Sequence, residues 1–233
     1  MEIKVLASGS SGNAYRISDG KTALLLDAGI TIRVIKEALN FQVRNLDGCL
    51  ITHEHGDHIK AAADLAKAGI NIYASRGTFE AARLAGHRFK SVKAMEAIQI
   101  NTFTVLPFDV QHDAQEPLGF LITSIATGDK LLYFTDTYYV KYKFDGLTHI
   151  MGECNYSSDI IRSNVESGHI PAKLAARVYK SHMSLDTFLA FLKANDMSRI
   201  RQIYLLHLSD NNSDEERFKH EIQLLTGAEV YVC

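Results

Sequence analysis

Residues 52–58 read THEHGDH, a stretch that brings three of the ten histidines of the chain together with two carboxylates. It follows the apolar residues CLI at 49–51, which are typical of a short buried strand. Imidazole nitrogens and carboxylate oxygens are ligands for zinc, manganese and iron. Glu54 alternates with the histidines along an extended chain and is not expected to be a ligand. A polar surface turn with coincidental histidines is the alternative, but a position directly behind an apolar strand favours a metal site.

The spacing within this stretch divides the candidate ligands into two pairs. His53 and His55 are two residues apart, so on an extended chain both side chains point the same way and can enter one coordination sphere. Asp57 and His58 follow Gly56, where the chain turns toward a helix. We expect Gly56 to act as a hinge that aims this second pair at a second centre.

A binuclear site needs ligands from elsewhere in the chain, and rigid strand ends are the best places to hold them. Three polar residues of ligand type follow apolar strands directly: His112 after FTVLPFDVQ, Asp136 after KLLYFT and His207 after IYLL. Any one of them alone is more simply explained as a hydrogen-bonded residue at a strand end. Together with the histidine stretch, they favour a two-metal site.

The composition is that of an ordinary globular protein, with 46% hydrophobic and 22% charged residues in 233. The net charge of −2 excludes a global basic field, so any site for a polyanion must be a local basic patch. The cysteines are odd in number and show no CxxC pair, which favours free thiols in a reducing cytoplasm. No secretory signal and no apolar run long enough to span a bilayer are expected, and the chain is predicted to be cytoplasmic with no membrane partner.

Hydrophobic periodicity predicts two strand-rich stretches that each end in helices. We predict strands over residues 2–8, 14–18, 22–29, 48–52, 70–75, 98–110, 118–126, 130–136, 147–155, 200–207 and 228–233. We predict helices over residues 31–40, 58–69, 76–86, 171–181, 184–195 and 213–226. With no linker or low-complexity tract, this pattern indicates one α/β domain over 1–233, with a two-sheet core and helices outside.

THEHGDH with His112, Asp136 and His207 downstream resembles the metallo-β-lactamase fold hydrolases over essentially the whole chain. The resemblance implies a four-layer αββα sandwich with two divalent metal ions at one edge of the sheets. It implies one ion held by His53, His55 and His112, another held by Asp57, His58 and His207, and Asp136 as the bridge. The ions would be zinc or manganese, with iron as a further candidate. Two such ions about 3.5–4 Å apart can lower the pKa of water and clamp the oxygens of a displacement, and Asp57 would orient or deprotonate that water.

Further motifs are similar to a narrower branch, the compact YycJ-type bacterial 5′→3′ DNA exonucleases. The chain has ASGSSGN at 7–13, HDAQEPLG at 112–119, TDT at 135–137, GECN at 152–155, SHMS at 181–184 and HLSDNN at 207–212. It departs from the pattern of this branch at four positions. Tyr138 stands where glycine follows TDT, Ser181 and Met183 flank His182 in place of glycine and leucine, and Tyr156 stands in place of a histidine.

The resemblance also implies roles outside the metal ligands. His182 would be a catalytic acid that protonates the leaving oxygen or stabilises charge in the transition state. Glu153 and Asn155 would support the site without binding metal. The residues expected on the substrate side are Ser10, Ser11, Asn13, Arg177 and Asn211.

Basic and aromatic residues near these motifs bear on the substrate. Lys173, Arg177 and Lys180 recur on one face of the helix predicted over 171–181, where they could follow a phosphate backbone or form an ordinary solvated face. The segment KYK at 141–143, with Tyr138 and Tyr139, could add cationic and stacking contacts to unpaired bases. The same tyrosines could equally pack the loop.

The leading hypothesis is a binuclear metal-dependent phosphodiesterase that hydrolyses nucleic acid, most simply a DNA 5′→3′ exonuclease, with homo-oligomerisation left open. The first alternative is a small-molecule hydrolase of the same fold, acting on a cyclic phosphodiester, thioester or lactone. A transfer-RNA-processing endonuclease and a non-catalytic binder are further alternatives. Fold alone does not choose among these functions.

Overall fold

The computed structural model describes residues 1–233, and the chain divides into two compact units. The N-terminal unit comprises Met1–Asp109 and Ala114–Asp129. The C-terminal unit comprises Val110–Asp113 and Lys130–Cys233. The assignment of 1–233 to one domain stays a prediction. The strands form two β-sheets, so the mixed α/β class expected from the sequence is confirmed.

The first six strands build a sheet in the N-terminal unit, in sequence order from edge to edge. They are β1 (Glu2–Ala7), β2 (Ala14–Ser18), β3 (Ala23–Leu26), β4 (Gly48–Leu50), β5 (Ile72–Ala74) and β6 (Phe89–Ser91). β1, β2 and β3 pair antiparallel through short turns, whereas β3 to β6 pair in parallel. Parallel pairing requires crossover connections, and helices supply them.

Four helices accompany this sheet: α1 (Ile32–Ala38), α2 (Gly56–Ile59), α3 (Ala62–Lys67) and α4 (Arg76–Ala81). Thr31 caps α1, because its side chain accepts a hydrogen bond from the backbone N–H of Val34. The single helix predicted over 58–69 is wrong, since the chain forms α2 and α3 instead. The Ala61 N–H donates to the Ala28 carbonyl, 2.8 Å away, and this bond takes it out of the helical ladder.

Three antiparallel strands follow in the same unit: β7 (Ile98–Ile100), β8 (Phe103–Asp109) and β9 (Leu118–Ser124). The strand predicted over 98–110 is therefore two strands. They are joined by a tight turn at Asn101, whose φ of 48° is left-handed. Asparagine tolerates this conformation better than most residues, and the apolar pattern on both sides hides the turn.

The C-terminal unit contains four parallel strands with four helices. The strands lie in the order β13 (Glu229–Val232), β12 (Gln202–Leu206), β11 (His149–Glu153) and β10 (Lys130–Phe134). The helices are α5 (Ser158–Glu166), α6 (Ala172–Ser181), α7 (Leu185–Ala194) and α8 (Glu215–Thr226). β11 is buried along its whole length, as parallel strands covered on both faces usually are. α5 was not predicted, because only one of its side chains, that of Ile161, is buried.

None of the helices is both long enough and apolar enough to cross a bilayer. The C-terminal unit places three polar residues at or just after its strand ends, Asp136 after β10, Glu153 at the end of β11 and His207 after β12. The N-terminal unit places Asp27 after β3 and the THEHGDH stretch after β4. Ends of neighbouring parallel strands meet at one edge of a sheet, and this edge is the usual place for a site in α/β proteins.

Candidate metal centre

His53 and His55 come together in the N-terminal unit, directly after β4. The His53 side chain is buried, and its Nε2 lies 3.0 Å from Nδ1 of His55. The two rings meet edge to face with their centroids 4.6 Å apart. On the other side of the His53 ring, Nδ1 lies 3.0 Å from the Thr52 hydroxyl. Two imidazole nitrogens that converge in this way are placed as ligands of one cation would be.

His58 is oriented by a buried carboxylate that the sequence did not reveal. Asp27 has no exposed surface, and its Oδ2 lies 2.8 Å from Nδ1 of His58. Thr52 fixes the other oxygen, since its N–H and hydroxyl donate to Oδ1 of Asp27 over 2.8 and 3.0 Å. With Nδ1 donating to the carboxylate, Nε2 of His58 is left as the nitrogen that can bind a metal. Nε2 also lies 3.5 Å from Oδ2 of Asp57.

The backbone of Asp57 and His58 is held by close contact with the loop before β2 and with the chain after β3. The Asn13 N–H donates to the Asp57 carbonyl and the Ala28 N–H donates to the His58 carbonyl, both over 2.8 Å. A Cβ on Gly29 would lie only 1.6 Å from the Asp57 carbonyl oxygen, so this packing requires glycine. Gly56 shows no such requirement, because nothing lies within 4 Å of its Cβ position and its φ is not left-handed. The structure therefore gives no steric reason for glycine at position 56, and the expected hinge role of Gly56 stays a prediction, whereas Gly29 lies against the backbone of the second pair.

Asn13 was expected on the substrate side, but it is completely buried in the loop between β1 and β2. Its Oδ1 accepts hydrogen bonds from the Gly9 N–H and the Tyr15 hydroxyl, each over 3.0 Å. Its Nδ2 donates to the Gly9 carbonyl over 3.1 Å and lies 3.2 Å from Nε2 of His58. The amide thus fastens the loop to the ligand histidine. Ser10 and Ser11 occupy the exposed turn of the same loop.

Glu54 faces the segment HDAQEPLG, away from its neighbouring histidines, as expected. Its Oε1 accepts a hydrogen bond from the Gln115 N–H over 2.7 Å, while its Oε2 is buried without a hydrogen-bond partner. Glu116 in turn accepts from the Gly77 N–H over 2.7 Å, at the start of α4. These contacts give both glutamates a role in positioning the segment.

Two predicted ligands of the C-terminal unit, Asp136 and His207, have left-handed backbone conformations at strand ends. Their φ angles are 45° and 55°, and Asp27 of the N-terminal unit has 54°. Such angles are uncommon for residues other than glycine and cost on the order of 1–3 kcal/mol each. All three side chains are buried, and backbone strain at buried polar residues is typical of functional sites.

Asp136 presents a different oxygen to each of two histidines. Its Oδ1 lies 3.1 Å from Nδ1 of His207, and its Oδ2 lies 3.6 Å from Nε2 of His112. His112 is fixed from behind, where its Nδ1 lies 3.2 Å from the Ser181 carbonyl. Its Nε2 also lies 3.2 Å from Oδ1 of Asp113. A carboxylate between two imidazoles is the arrangement that a bridging ligand needs.

A compact donor group surrounds His207. Ligand atoms of Asp136, Glu153, His182 and His207 all lie within 4.8 Å of one another. Burial alone lowers the pKa of His207, but the charges and hydrogen bonds of Asp136 and Glu153 outweigh it and raise the pKa to about 10. Two buried carboxylates therefore favour a positive charge here, and a divalent cation would satisfy them in place of the proton.

His182 ends α6 and is held by Glu153. Its Nδ1 lies 2.5 Å from Oε1 of Glu153, whose Oε2 accepts hydrogen bonds from the Thr137 and Met183 N–H groups. Burial lowers the pKa of His182, but the Glu153 charge outweighs it and raises that pKa. Burial raises the pKa of the Glu153 carboxyl. The charge of His182 and the hydrogen bonds from His182 and His207 outweigh burial and bring that pKa below its usual value. The His182 side chain is 19% exposed, so the ring is both oriented and accessible.

The remaining predicted substrate residues, Arg177 and Asn211, are exposed in the C-terminal unit. Arg177 lies on α6, with Nη2 3.5 Å from Oδ2 of Asp113. Asn211 lies in the turn after His207, and its carbonyl accepts a hydrogen bond from Asn164. Asn155 supports the site as expected, since its Nδ2 donates to the His207 carbonyl over 2.7 Å.

Comparison with known proteins agrees with this geometry. The model of the beta-lactamase superfamily domain matches residues 22–207. The chain is 32% identical over 232 residues to "Exodeoxyribonuclease YycJ" of Bacillus anthracis, covering 92% of this chain and 85% of the relative. It is 30% identical over 227 residues to "Exodeoxyribonuclease WalJ" of Streptococcus pneumoniae, covering 91% of this chain and 83% of the relative. The crystal structure of the metallo-beta-lactamase fold protein YhfI from Bacillus subtilis matches with a TM-score of 0.73 at 16% identity, covering 99% of this chain and 95% of that one. The predicted metallo-β-lactamase fold is confirmed.

Proposed function

We propose that this chain, which belongs to the beta-lactamase superfamily, is a metal-dependent exodeoxyribonuclease. The observation that carries the proposal is its 30–32% identity to exodeoxyribonucleases over about nine-tenths of its length. The chain also contains every histidine and aspartate of the ligand pattern, in α2 or in the segments that follow β4, β8, β10 and β12. We propose cleavage in the 5′→3′ direction, as in the branch that its motifs resemble.

The donor chemistry of both units fits two divalent cations. We propose one ion on His53, His55 and His112, a second on Asp57, His58 and His207, and Asp136 between them. Support comes from the converging nitrogens of His53 and His55 and from the two oxygens that Asp136 turns to different histidines. When bound, such a pair supplies Lewis acidity that lowers the pKa of water and neutralises charge on a phosphate. Imidazole and carboxylate ligands accept zinc, manganese or iron, and we propose zinc or manganese.

Three residues of the chain are assigned proton and positioning roles. Asp57 orients the attacking water and accepts its proton, since its carboxylate is partly exposed beside His58. His182 donates a proton from Nε2 to the leaving oxygen. Glu153, bonded to Nδ1, holds the ring in place and stabilises its charged form. The positive charge of the His182 ring also stabilises negative charge in the transition state before the proton is transferred.

The substrate side is proposed to include Ser10, Ser11, Arg177 and Asn211, which are exposed. Asn13 is proposed to hold the loop in place and not to contact the substrate, because its amide is buried and bonded to Gly9 through both of its polar atoms. A cytoplasmic location is supported by three free thiols, those of Cys49, Cys154 and Cys233. Assembly into a homo-oligomer stays an expectation.

A substrate panel separates this function from its alternatives. The purified protein, loaded with manganese or zinc, is given linear DNA, transfer RNA precursor, a cyclic phosphodiester, a thioester and a lactone. We expect turnover of DNA, with loss of metal and of turnover in Asp136→Asn. Turnover of a small ester or cyclic phosphodiester with intact DNA would favour a small-molecule hydrolase. Full function of Asp136→Asn without metal would favour a non-catalytic binder.

A further inference from the structure

The loop over residues 137–146 begins directly after Asp136 and is anchored to the donor group of the C-terminal unit. Thr137 is completely buried, and its N–H donates to Oε2 of Glu153 over 2.8 Å. Its hydroxyl accepts from the Gln111 N–H over 3.0 Å and donates to the Tyr139 carbonyl over 2.9 Å. The first residues of the loop are therefore held in place beside His112 and Asp136.

The structure divides the tyrosines of this loop into two kinds. Tyr138 and Tyr139 are 42% and 52% exposed, so about half of each residue is open to solvent. Tyr142 is half-buried, and the Lys141 ammonium lies 5.0 Å from the centre of its ring. Parts of two aromatic side chains are therefore open to solvent next to the candidate active site.

A groove runs between this loop and α7. It has a volume of about 200 Å³, below the roughly 300–1,000 Å³ of typical small-molecule sites. Its lining consists of Tyr139, Val140, Lys141, Tyr142, Lys143, Thr187, Ala190, Phe191, Ala194 and Asn195. The lining therefore contains two lysines and no carboxylate.

The groove is preformed, because Asn195 ties the loop to the end of α7. Its Oδ1 accepts a hydrogen bond from the Phe144 N–H over 2.7 Å, and its Nδ2 donates to the Phe191 carbonyl over 2.8 Å. Both polar atoms of the amide are thus used within the protein. Apart from Asn195 and Thr187, the side chains of the lining are aromatic, apolar or cationic.

We propose that this groove binds an unpaired stretch of the DNA strand being degraded, with a base stacked on Tyr139 and phosphates beside Lys141 and Lys143. The inference rests on the proposed nuclease function and names the form of substrate that the site takes. Exposed aromatic rings stack on any base that is free of its partner, and lysines neutralise the backbone. Bases in a duplex are already stacked, so the groove favours single strands.

The test is binding of a fluorescein-labelled single-stranded oligonucleotide by anisotropy, with metal chelated so that nothing is cleaved. We expect Tyr139→Ala to raise the Kd about tenfold or more and Tyr139→Phe, which keeps the ring, to leave it near the wild-type value. Lys141→Ala and Lys143→Ala should each reduce the slope of log Kd against log salt concentration by about one. Tyr231→Ala is the matched control, since Tyr231 is a 40% exposed tyrosine on β13, outside the groove.

The outcomes separate the groove from the nuclease function. If the metal-loaded wild type degrades DNA but Tyr139→Ala binds single strands as tightly as Tyr231→Ala, the groove assignment is wrong and the nuclease function stands. Equal weakening of blunt duplex binding by Tyr139→Ala would overturn the preference for unpaired bases. A wild type that neither binds nor degrades DNA would overturn both proposals.

Discussion

At the scale of single residues, the candidate site depends on charges that are buried together and satisfied together. Asp27 is the clearest case, since its carboxylate is completely buried and bonds to Thr52 and His58. A buried carboxylate is costly unless it is paired and hydrogen-bonded. This pairing sets which nitrogen of His58 carries the proton and which is left for a metal.

Replacing Asp27 tests this dependence. Asp27→Asn keeps the size of the side chain but removes the charge that orients His58, so we expect metal affinity to fall about 10–100-fold. The measurement is a competition titration with a chromophoric chelator. Asp64→Asn, a change in a half-exposed aspartate of α3 paired with Lys67, serves as the control and should leave affinity unchanged. Equal affinities for the two variants would remove Asp27 from the site.

Two glycines in the same region should respond differently to alanine. The added Cβ of Gly29→Ala would lie 1.6 Å from the Asp57 carbonyl oxygen, so we expect a loss of about 2–3 kcal/mol in the free energy of unfolding and weaker metal binding. Gly56→Ala meets nothing within 4 Å and should change stability by less than about 0.5 kcal/mol. Urea unfolding of the two metal-free variants measures the difference. Similar stabilities would show that the chain relaxes around Gly29.

His53, His55, His112 and Asp136 could be predicted because a residue of metal-ligand type after an apolar strand can be recognised from the sequence alone. It did not reveal Asp27, although this residue also follows an apolar strand. The bonds from Asp27 reach Thr52 and His58, which lie far along the chain. Gly29 was equally hidden, since its importance comes from the backbone of Asp57 passing within contact distance.

At the scale of elements, turns of the N-terminal unit are joined by side chains as well as by the strands. Asp19, in the turn between β2 and β3, accepts hydrogen bonds from the N–H groups of Lys21 and Thr22. It also accepts hydrogen bonds from the hydroxyls of Thr102 and Ser124, which lie at the β7–β8 turn and at the end of β9. Burial by itself raises the pKa of this carboxyl, but the hydrogen bonds outweigh it and lower the pKa to about 2.

This shift predicts part of the acid sensitivity of the fold. The folded pKa of Asp19 lies below its ordinary value of 3.8, so the stabilisation is complete above that value and is lost as the pH falls toward about 2. Asp19→Asn should lower the free energy of unfolding by about 1 kcal/mol at neutral pH, after allowance for solvent screening.

Chemical unfolding of the metal-free protein between about pH 2 and 7 measures this effect. The deficit of Asp19→Asn should shrink as the pH falls through the window below 3.8. Asp145→Asn, a change in an exposed aspartate, should follow the wild type at every pH. A deficit that stays constant down to pH 2 would show that Asp19 acts through its shape and not through its charge.

Sequence periodicity placed most elements correctly and failed where tertiary contacts override it. α2 and α3 were predicted as one helix, and a bond from Ala61 to Ala28 separates them. β7 and β8 were predicted as one strand, although a turn at Asn101 joins them. α5 was missed because so little of its surface is apolar and buried. Only the bond from Ala61 to Ala28 lies outside the window in which periodicity is read, whereas the turn at Asn101 is local and is hidden by the apolar residues on both sides.

At the scale of the whole molecule, each compact unit contains part of the ligand pattern. His53, His55, Asp57 and His58 belong to one unit, whereas His112, Asp136 and His207 belong to the other. The fold could be predicted because this order of ligands along the chain is characteristic of the metallo-β-lactamase fold. The substrate could not be derived from the fold, since one fold supports many reactions. The support for DNA comes instead from identity to exodeoxyribonucleases.

The most direct test of the nuclease function follows the release of label from linear DNA carrying 5′ or 3′ end labels, with metal bound per chain measured on the same sample. With manganese or zinc we expect progressive release of short products starting at the 5′ end, and none after chelation. His53→Gln should lose both metal and activity, whereas His220→Gln, a change in an exposed histidine of α8, should keep both. DNA that stays intact while the wild-type chain holds two ions would contradict the account.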